Sequence, residues 1–220
     1  MGKIKAYINV RRKEITMPYT FRSFRKPHVS KIREVTEGTI ELRKLMGWSG
    51  QGGITTPFTN TVSLVSHFKR FESMEEIDQH FEKMSSNKEV GKKISELNSY
   101  CDMYVNSVSE ILRPASGPNL DNMKKNKYVI QYWMKSKIGK RWDLADALMK
   151  NSTGRNGNKP GISAPLGYME AGDIVITLPF PDLSFLPTFE ESKSNIKLLE
   201  IVEEFLIEPP KRHITRLIFD

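Results

Sequence analysis

The sequence predicts an α+β fold of two tandem ferredoxin-like units, and three observations carry that expectation. An alternating strand, residues 62–71, runs directly into a helix start at Ser73. A second strand of the same kind, residues 174–180, runs into Asp182 and Leu183. With Phe71 set on Phe180 the two segments align without a gap, Ser73-Met74 falling on Asp182-Leu183. Around each of them strand and helix patterns recur in the order βαββαβ, which is the ferredoxin-like order. A chain of 220 residues has room for two such units. They are expected at residues 1–113 and 127–220, joined by a linker at 114–126 that holds Pro114, Gly117 and Pro118.

In the first unit, Ile4, Ala6, Ile8 and Val10 alternate with Lys3, Lys5, Tyr7 and Asn9, giving a first strand over 3–12. Pro18 and Pro27 bracket a stretch without a clear period, so 15–28 reads as a loop. Ile32, Val35, Leu42, Leu45 and Met46 follow helical spacing over 31–48, and Gly50, Gly52 and Gly53 stop the helix before a short strand at 54–58. The third strand carries apolar residues on both faces, as a central strand does. Ser73 and Glu76 form a capping box, followed by Met74, Ile77, Phe81 and Met84 on one helical stripe. Val90, Ile94 and Leu97 mark a further helix, and 100–112 a closing strand rich in Tyr and Val.

The second unit begins with a strand over 128–135, then a helix face of Ile138, Trp142, Ala145 and Met149. Residues 151–167, with four glycines and two prolines, form a long loop and a candidate lid. After the strand at 174–180, Ile196, Leu199, Val202 and Leu206 form a helical stripe. Pro209-Pro210 end it before a final strand at 213–219.

Charged residues at 27% and hydrophobic residues at 38% suit a folded core rather than a disordered chain. No run approaches the ~20 apolar residues of a membrane span, and the first residues lack the apolar stretch of a secretory signal, so a cytoplasmic protein is expected. Cys101 is the one cysteine, which excludes an intrachain disulfide and a cysteine-rich metal site. His28, His80 and His213 have no metal-ligand spacing, so no metal is expected. Gly154 to Gly161 is no phosphate loop, because Pro160 follows Lys159 and no helix begins there. No Gly-x-Ser-x-Gly turn supports hydrolase chemistry.

The net charge of +8 is concentrated in residues 1–34, where ten basic side chains face Glu14 and Glu34 and the rest of the chain balances. Arg11, Arg12, Lys13, Arg22, Arg25 and Lys26 in that stretch are candidates for binding nucleic acid or an anionic surface; a solvated charged face is the bland reading of the same pattern.

His67 is the strongest candidate for a small-molecule site. It shares its strand face with Val65 and Lys69, whereas the matched residues Ile174, Ile176 and Leu178 are wholly apolar. A buried imidazole left unsatisfied costs roughly 1–3 kcal/mol, so its presence where the second copy has isoleucine suggests a use. It is expected to line a cavity and contact ligand, with Tyr104 and Gln131 as neighbours. A strand histidine can act as general base, orienting donor or haem ligand; a histidine paired within the core is the alternative.

Ser66-His67-Phe68-Lys69-Arg70-Phe71-Glu72-Ser73-Met74 resembles a stretch of NIPSNAP-like proteins, and Ser86-Asn87-Lys88-Glu89-Val90 resembles their Asp-Pro-Glu-Trp turn. Lys69 stands where that pattern has an aromatic residue, and Val90 where it has tryptophan. The resemblance implies the dimeric α/β-barrel superfamily: ferredoxin-like sheets paired into a barrel with an interior cavity, and a homodimer. It admits cofactor-independent monooxygenases, haem-degrading enzymes and non-catalytic binding proteins, with haem the one cofactor it suggests. The functional expectation is therefore a small-molecule binder or monooxygenase-like enzyme that takes an apolar or aromatic ligand. The alternative is an interaction protein that meets RNA or an anionic surface through residues 1–34, although no RNA-recognition strand motif is present.

Overall fold

A computed structural model describes residues 18–49, 52–59, 64–116, 125–152, 159–167, 172–184 and 193–219. The chain is α+β, with strands β1 (Tyr19–Pro27), β2 (Gly53–Thr59), β3 (Val65–Phe71), β4 (Cys101–Arg113), β5 (Tyr128–Met134), β6 (Gly161–Pro165), β7 (Ile174–Phe180) and β8 (Lys211–Ile218). Its α-helices are α1 (Ile32–Leu45), α2 (Met74–Ser86), α3 (Lys88–Ser99), α4 (Arg141–Asn151) and α5 (Lys193–Glu203). Two compact units divide it, one of residues up to 109 with those from 216 onward, the other of residues 110–215. The division falls inside β4 and inside β8.

The first unit is built on β3, which pairs antiparallel with β1 and with β2. Ser23 lies opposite His67 and Ile54 opposite His67 on the other side. Residues directly opposite share a face, so the odd residues of β1 and β3 lie together with Ile54. That face is covered by helices: Val35 of α1 packs on Ile54 and Val65, and Ile77 of α2 packs with Phe21, Phe71 and Trp48. Leu42 joins Val90 and Leu97 between α1 and α3. Full burial of side chains of this size contributes about 1.5–3 kcal/mol each.

Local chemistry sets the helix starts. Ser73 Oγ accepts from the Glu76 amide at 3.1 Å, while Glu76 accepts from the Glu72 amide at 2.8 Å, one residue earlier than a standard capping box. Asn87 Oδ1 accepts from the amides of Glu89 and Val90 and so starts α3.

In the second unit, β7 pairs antiparallel with β5 and β6. Leu144, Ala145 and Leu148 of α4 and Val202 of α5 pack on Met134, Ile162, Ala164, Ile174 and Ile176. Arg113 fixes the turn after α4, donating to the carbonyls of Pro160 (3.0 Å), Met149 (3.0 Å) and Ser152 (3.2 Å). Among the described residues no helix is long and apolar enough to cross a membrane.

Several expectations are corrected. Residues 19–27 are a strand rather than a loop, the two prolines marking its ends. Part of the expected lid is strand β6. Ile138 precedes α4 and is fully exposed, and Leu199 of α5 is exposed too. The expected strand at 3–12, most of the linker and residues 153–158 of the lid lie outside the described residues.

Candidate functional site

The site in the first unit starts from how α1 ends. Gly47 has φ +68°, a left-handed conformation that costs glycine little, and its amide donates to Lys44 O while that of Trp48 donates to Arg43 O. These two bonds are the Schellman ending of a helix. They turn the chain so that the Trp48 ring enters the space between the helices and the sheet, where it is 0% exposed. Arg43 holds it there, donating to Trp48 O at 2.9 Å and to Phe68 O of β3 at 3.3 Å.

Two histidines flank that ring. His67 of β3 lies 5.2 Å from Trp48, centroid to centroid, and His80 of α2 lies 4.9 Å from it at an interplanar angle of 33°. His80 also meets Phe71 at 5.6 Å. Phe21 and Phe81 close the cluster edge to face, and Lys69 Nζ stands 4.7 Å from the Phe71 centroid. Burial, with Arg25, Arg43 and His80 nearby, holds His67 well below the usual imidazole range. Burial, with Lys69 and Lys83, brings His80 down to about 4. Both rings are neutral at pH 7, and a neutral imidazole has one nitrogen free to accept a proton.

Arg25 completes the group from β1, two residues along the same face from Ser23. Its guanidinium is 1% exposed, donates to Ser23 Oγ at 3.1 Å and Asn98 Oδ1 at 3.3 Å, and lies 4.6 Å from the Tyr104 ring centroid. No carboxylate pairs with it among the described residues. Trp48 Nε1, His67 Nδ1, His80 Nε2 and Arg25 Nη2 are buried and have no hydrogen-bond partner among the described residues. Native proteins rarely leave buried polar atoms so, each costing about 1–3 kcal/mol, and four of them on one helix-covered sheet face mark where a polar occupant would be bound.

Of the residues expected from sequence, His67 and Tyr104 are brought to one neighbourhood, with Arg25 between them. His67, however, lies on the sheet face on which α1 and α2 pack. Gln131 belongs to the other unit, where its amide donates to Thr177 Oγ1 at 3.4 Å. It lies on the face of β5 opposite Tyr132 and Met134. Arg25, expected at a charged surface, is buried; Arg22 is half-buried, and Lys26 is exposed beside Asp102 at 3.9 Å. Arg11, Arg12 and Lys13 lie outside the described residues. His80 was not expected at a site, although it sits on the α2 stripe, three residues after Ile77 and four before Met84. Among the described residues no group of three or more His, Cys, Asp or Glu could hold a metal ion. A haem iron needs only one imidazole, and His67 or His80 would be its ligand.

No protein-family model and no curated protein sequence matches the chain. Solved structures do. An anthrone oxidase-like protein matches with a TM-score of 0.67 at 10% identity, over 93% of this chain and 92% of that one. A candidate monooxygenase from Fusobacterium nucleatum subsp. nucleatum matches with a TM-score of 0.65 at 8% identity, over 92% and 93%. A NIPSNAP family protein from Agrobacterium tumefaciens covers 43% of this chain and 85% of its own, at 12% identity and a TM-score of 0.38. At such identities the first two establish a shared fold, and the third is too slight to argue from.

Proposed function

We propose that this protein binds a small aromatic molecule between the helices and sheet of its first unit and oxidises it with molecular oxygen, without a metal. The observation that carries the reading is the set of four unpartnered buried polar atoms on Trp48, His67, His80 and Arg25, within a frame of aromatic rings. Phe21, Phe71, Phe81 and Trp48 offer flat apolar contact. His67, neutral and beside a guanidinium, is the general base: its Nδ1 takes a proton from a methylene activated by a neighbouring carbonyl. Arg25 then stabilises the resulting anion, since a preorganised cation with no counter-ion of its own is most effective where charge develops. The anion is the reductant of O2. One oxygen atom becomes a carbonyl on the former methylene carbon, and the other leaves as water with the two hydrogens of that carbon.

The fold shared with an anthrone oxidase-like protein and a candidate monooxygenase supports this class and suggests the probe. The finer architecture is part of the proposal: tandem ferredoxin-like copies at residues 1–113 and 127–220, paired as a barrel, in a homodimer. The alternative of an RNA-binding or surface-binding protein is weakened by the burial of Arg25.

The test is oxygen uptake with dihydroxyanthrone as probe, in the presence of a chelator. Wild type is expected to consume oxygen above the uncatalysed rate. His67→Gln and Arg25→Met are expected to lower kcat by roughly 100-fold or more, the usual share of a general base. Wild type no faster than the uncatalysed reaction, with the probe bound, would leave binding without catalysis, and equal rates above it in all three proteins would remove His67 and Arg25 from the chemistry. A visible absorption band in the purified protein would instead indicate haem.

A further inference from the structure

We propose that the opposite face of the same sheet is a second binding site, one for an oxyanion, with Arg22 and Arg70 as the residues that hold it. The even residues of β1 and β3 share this face: Thr20 is opposite Arg70, Arg22 opposite Phe68, and Phe24 opposite Ser66. Arg22 and Arg70 are therefore diagonal neighbours, about 7–8 Å apart along the backbone. From β2, Gly53 and Thr55 join the same face through their pairing with Phe68 and Ser66. None of these residues is acidic.

Arg22 is enclosed by aromatic rings. Its guanidinium carbon lies 5.3 Å from the Phe68 centroid and 5.8 Å from that of Phe24, and its Nε is shut off from water with no hydrogen-bond partner among the described residues. Desolvation brings its pKa down to about 10, an unusual state for an arginine. Arg70 differs in being reached by solvent, and desolvation lowers its pKa as well. It has no ion pair or hydrogen bond among the described residues. Some other cations of this unit have acidic partners: Arg33 bonds Glu37, Lys93 bonds Glu41 and Glu96, and Lys26 is beside Asp102. The Thr55 and Ser66 hydroxyls bond one another at 2.6 Å and so take up no arginine donor.

A guanidinium presents its donors in a fork that matches carboxylate, sulfonate and phosphate oxygens, and burial strengthens the bond once an anion arrives. Arg70, being open to water, makes first contact, and Arg22 supplies charge from beneath the rings. This site is independent of the aromatic-oxidation reading, because His67, His80 and Arg25 project to the other side of the sheet.

The experiment measures thermal unfolding of the full chain against benzoate, inorganic phosphate and benzyl alcohol at constant ionic strength, in wild type, Arg70→Gln and Arg22→Met. Benzoate or phosphate is expected to raise the melting temperature saturably, and benzyl alcohol is not. Arg70→Gln, at an exposed position, is expected to keep the ligand-free melting temperature and weaken the anion at least about tenfold, the effect of losing one charged hydrogen bond. Arg22→Met is expected to abolish the anion effect without lowering ligand-free stability, since it removes an uncompensated charge. Equal stabilisation by benzyl alcohol, anion binding that survives in Arg70→Gln, or no anion effect beyond that of sodium chloride would each overturn the proposal. If Arg22→Met fails to fold, Arg70→Gln decides alone.

Discussion

Acidification should unfold this protein through its buried histidines before its carboxylates take part. His67 is 3% exposed and held well below its ordinary value of 6.5, so the unfolded chain binds a proton there that the folded chain refuses. The lowered folded pKa means that stability is complete above 6.5 and lost as pH falls toward the folded value. The slope cannot exceed about 1.4 kcal/mol per pH unit for each such histidine, so His67 should remove at most about 2 kcal/mol between pH 7 and pH 5. His80 adds a smaller share down to about 4, reduced because its ring is half in water. The lowered carboxylates of Glu34, Glu41 and Glu75 start from 4.5 and act below this window. Urea midpoints measured in half-unit steps from pH 8 to pH 4.5 read the effect. His67→Gln should flatten most of the slope, and His67→Gln with His80→Gln should leave only a remnant from His213, which burial also lowers. A slope unchanged in the double variant would refute the burial of these rings as its cause.

Two further outcomes concern stability. Arg113→Met should lower stability by about 3 kcal/mol or more, because three carbonyls lose their donor at once, and hydrogen exchange should rise at residues 149–152 and 159–161. Gly52→Ala should destabilise by more than about 1 kcal/mol, since φ is +85° and a Cβ would stand 2.1 Å from Phe68 O. Gly91→Ala in α3, with nothing near its Cβ, should instead raise stability by about 0.5–1 kcal/mol, and parallel thermal melts compare the two.

The elements that declare themselves in sequence are those whose period and caps agree. Residues 174–180 form β7 with no shift, and Ser73 starts its helix as its side chain predicts. Strand β1 was hidden because arginines and phenylalanines occupy both of its faces, so neither face has the apolar signature that alternation needs. The parity of His67, with Val65 and Lys69, was legible. Which face the helices cover was not, because β3 carries Phe68 on one side and Phe71 on the other. Trp48 and His80 reach the site through a helix ending and a helix stripe that sequence shows only as local features. Arg25 was read as surface charge because charge normally predicts exposure; its burial depends on partners from α3 and β4 that no local pattern reveals.

The clamp made by Arg43 has a consequence for the folding of β3. A strand that slips by one residue exchanges the contents of its two faces. Such a slip would move Arg70 and Phe68 beneath the helices and turn His67 outward, and the mixed character of both faces means that hydrophobicity alone offers little resistance to it. Arg43 bonds the carbonyl of Phe68, whose position along the strand is fixed only when Phe68 occupies its proper place, and the same guanidinium holds Trp48 O. The arginine thus acts as an alignment pin. A variant lacking it deprives two carbonyls of their donor and should melt lower, and the molecules that still fold should include a misaligned population, visible as a second set of Trp48 resonances.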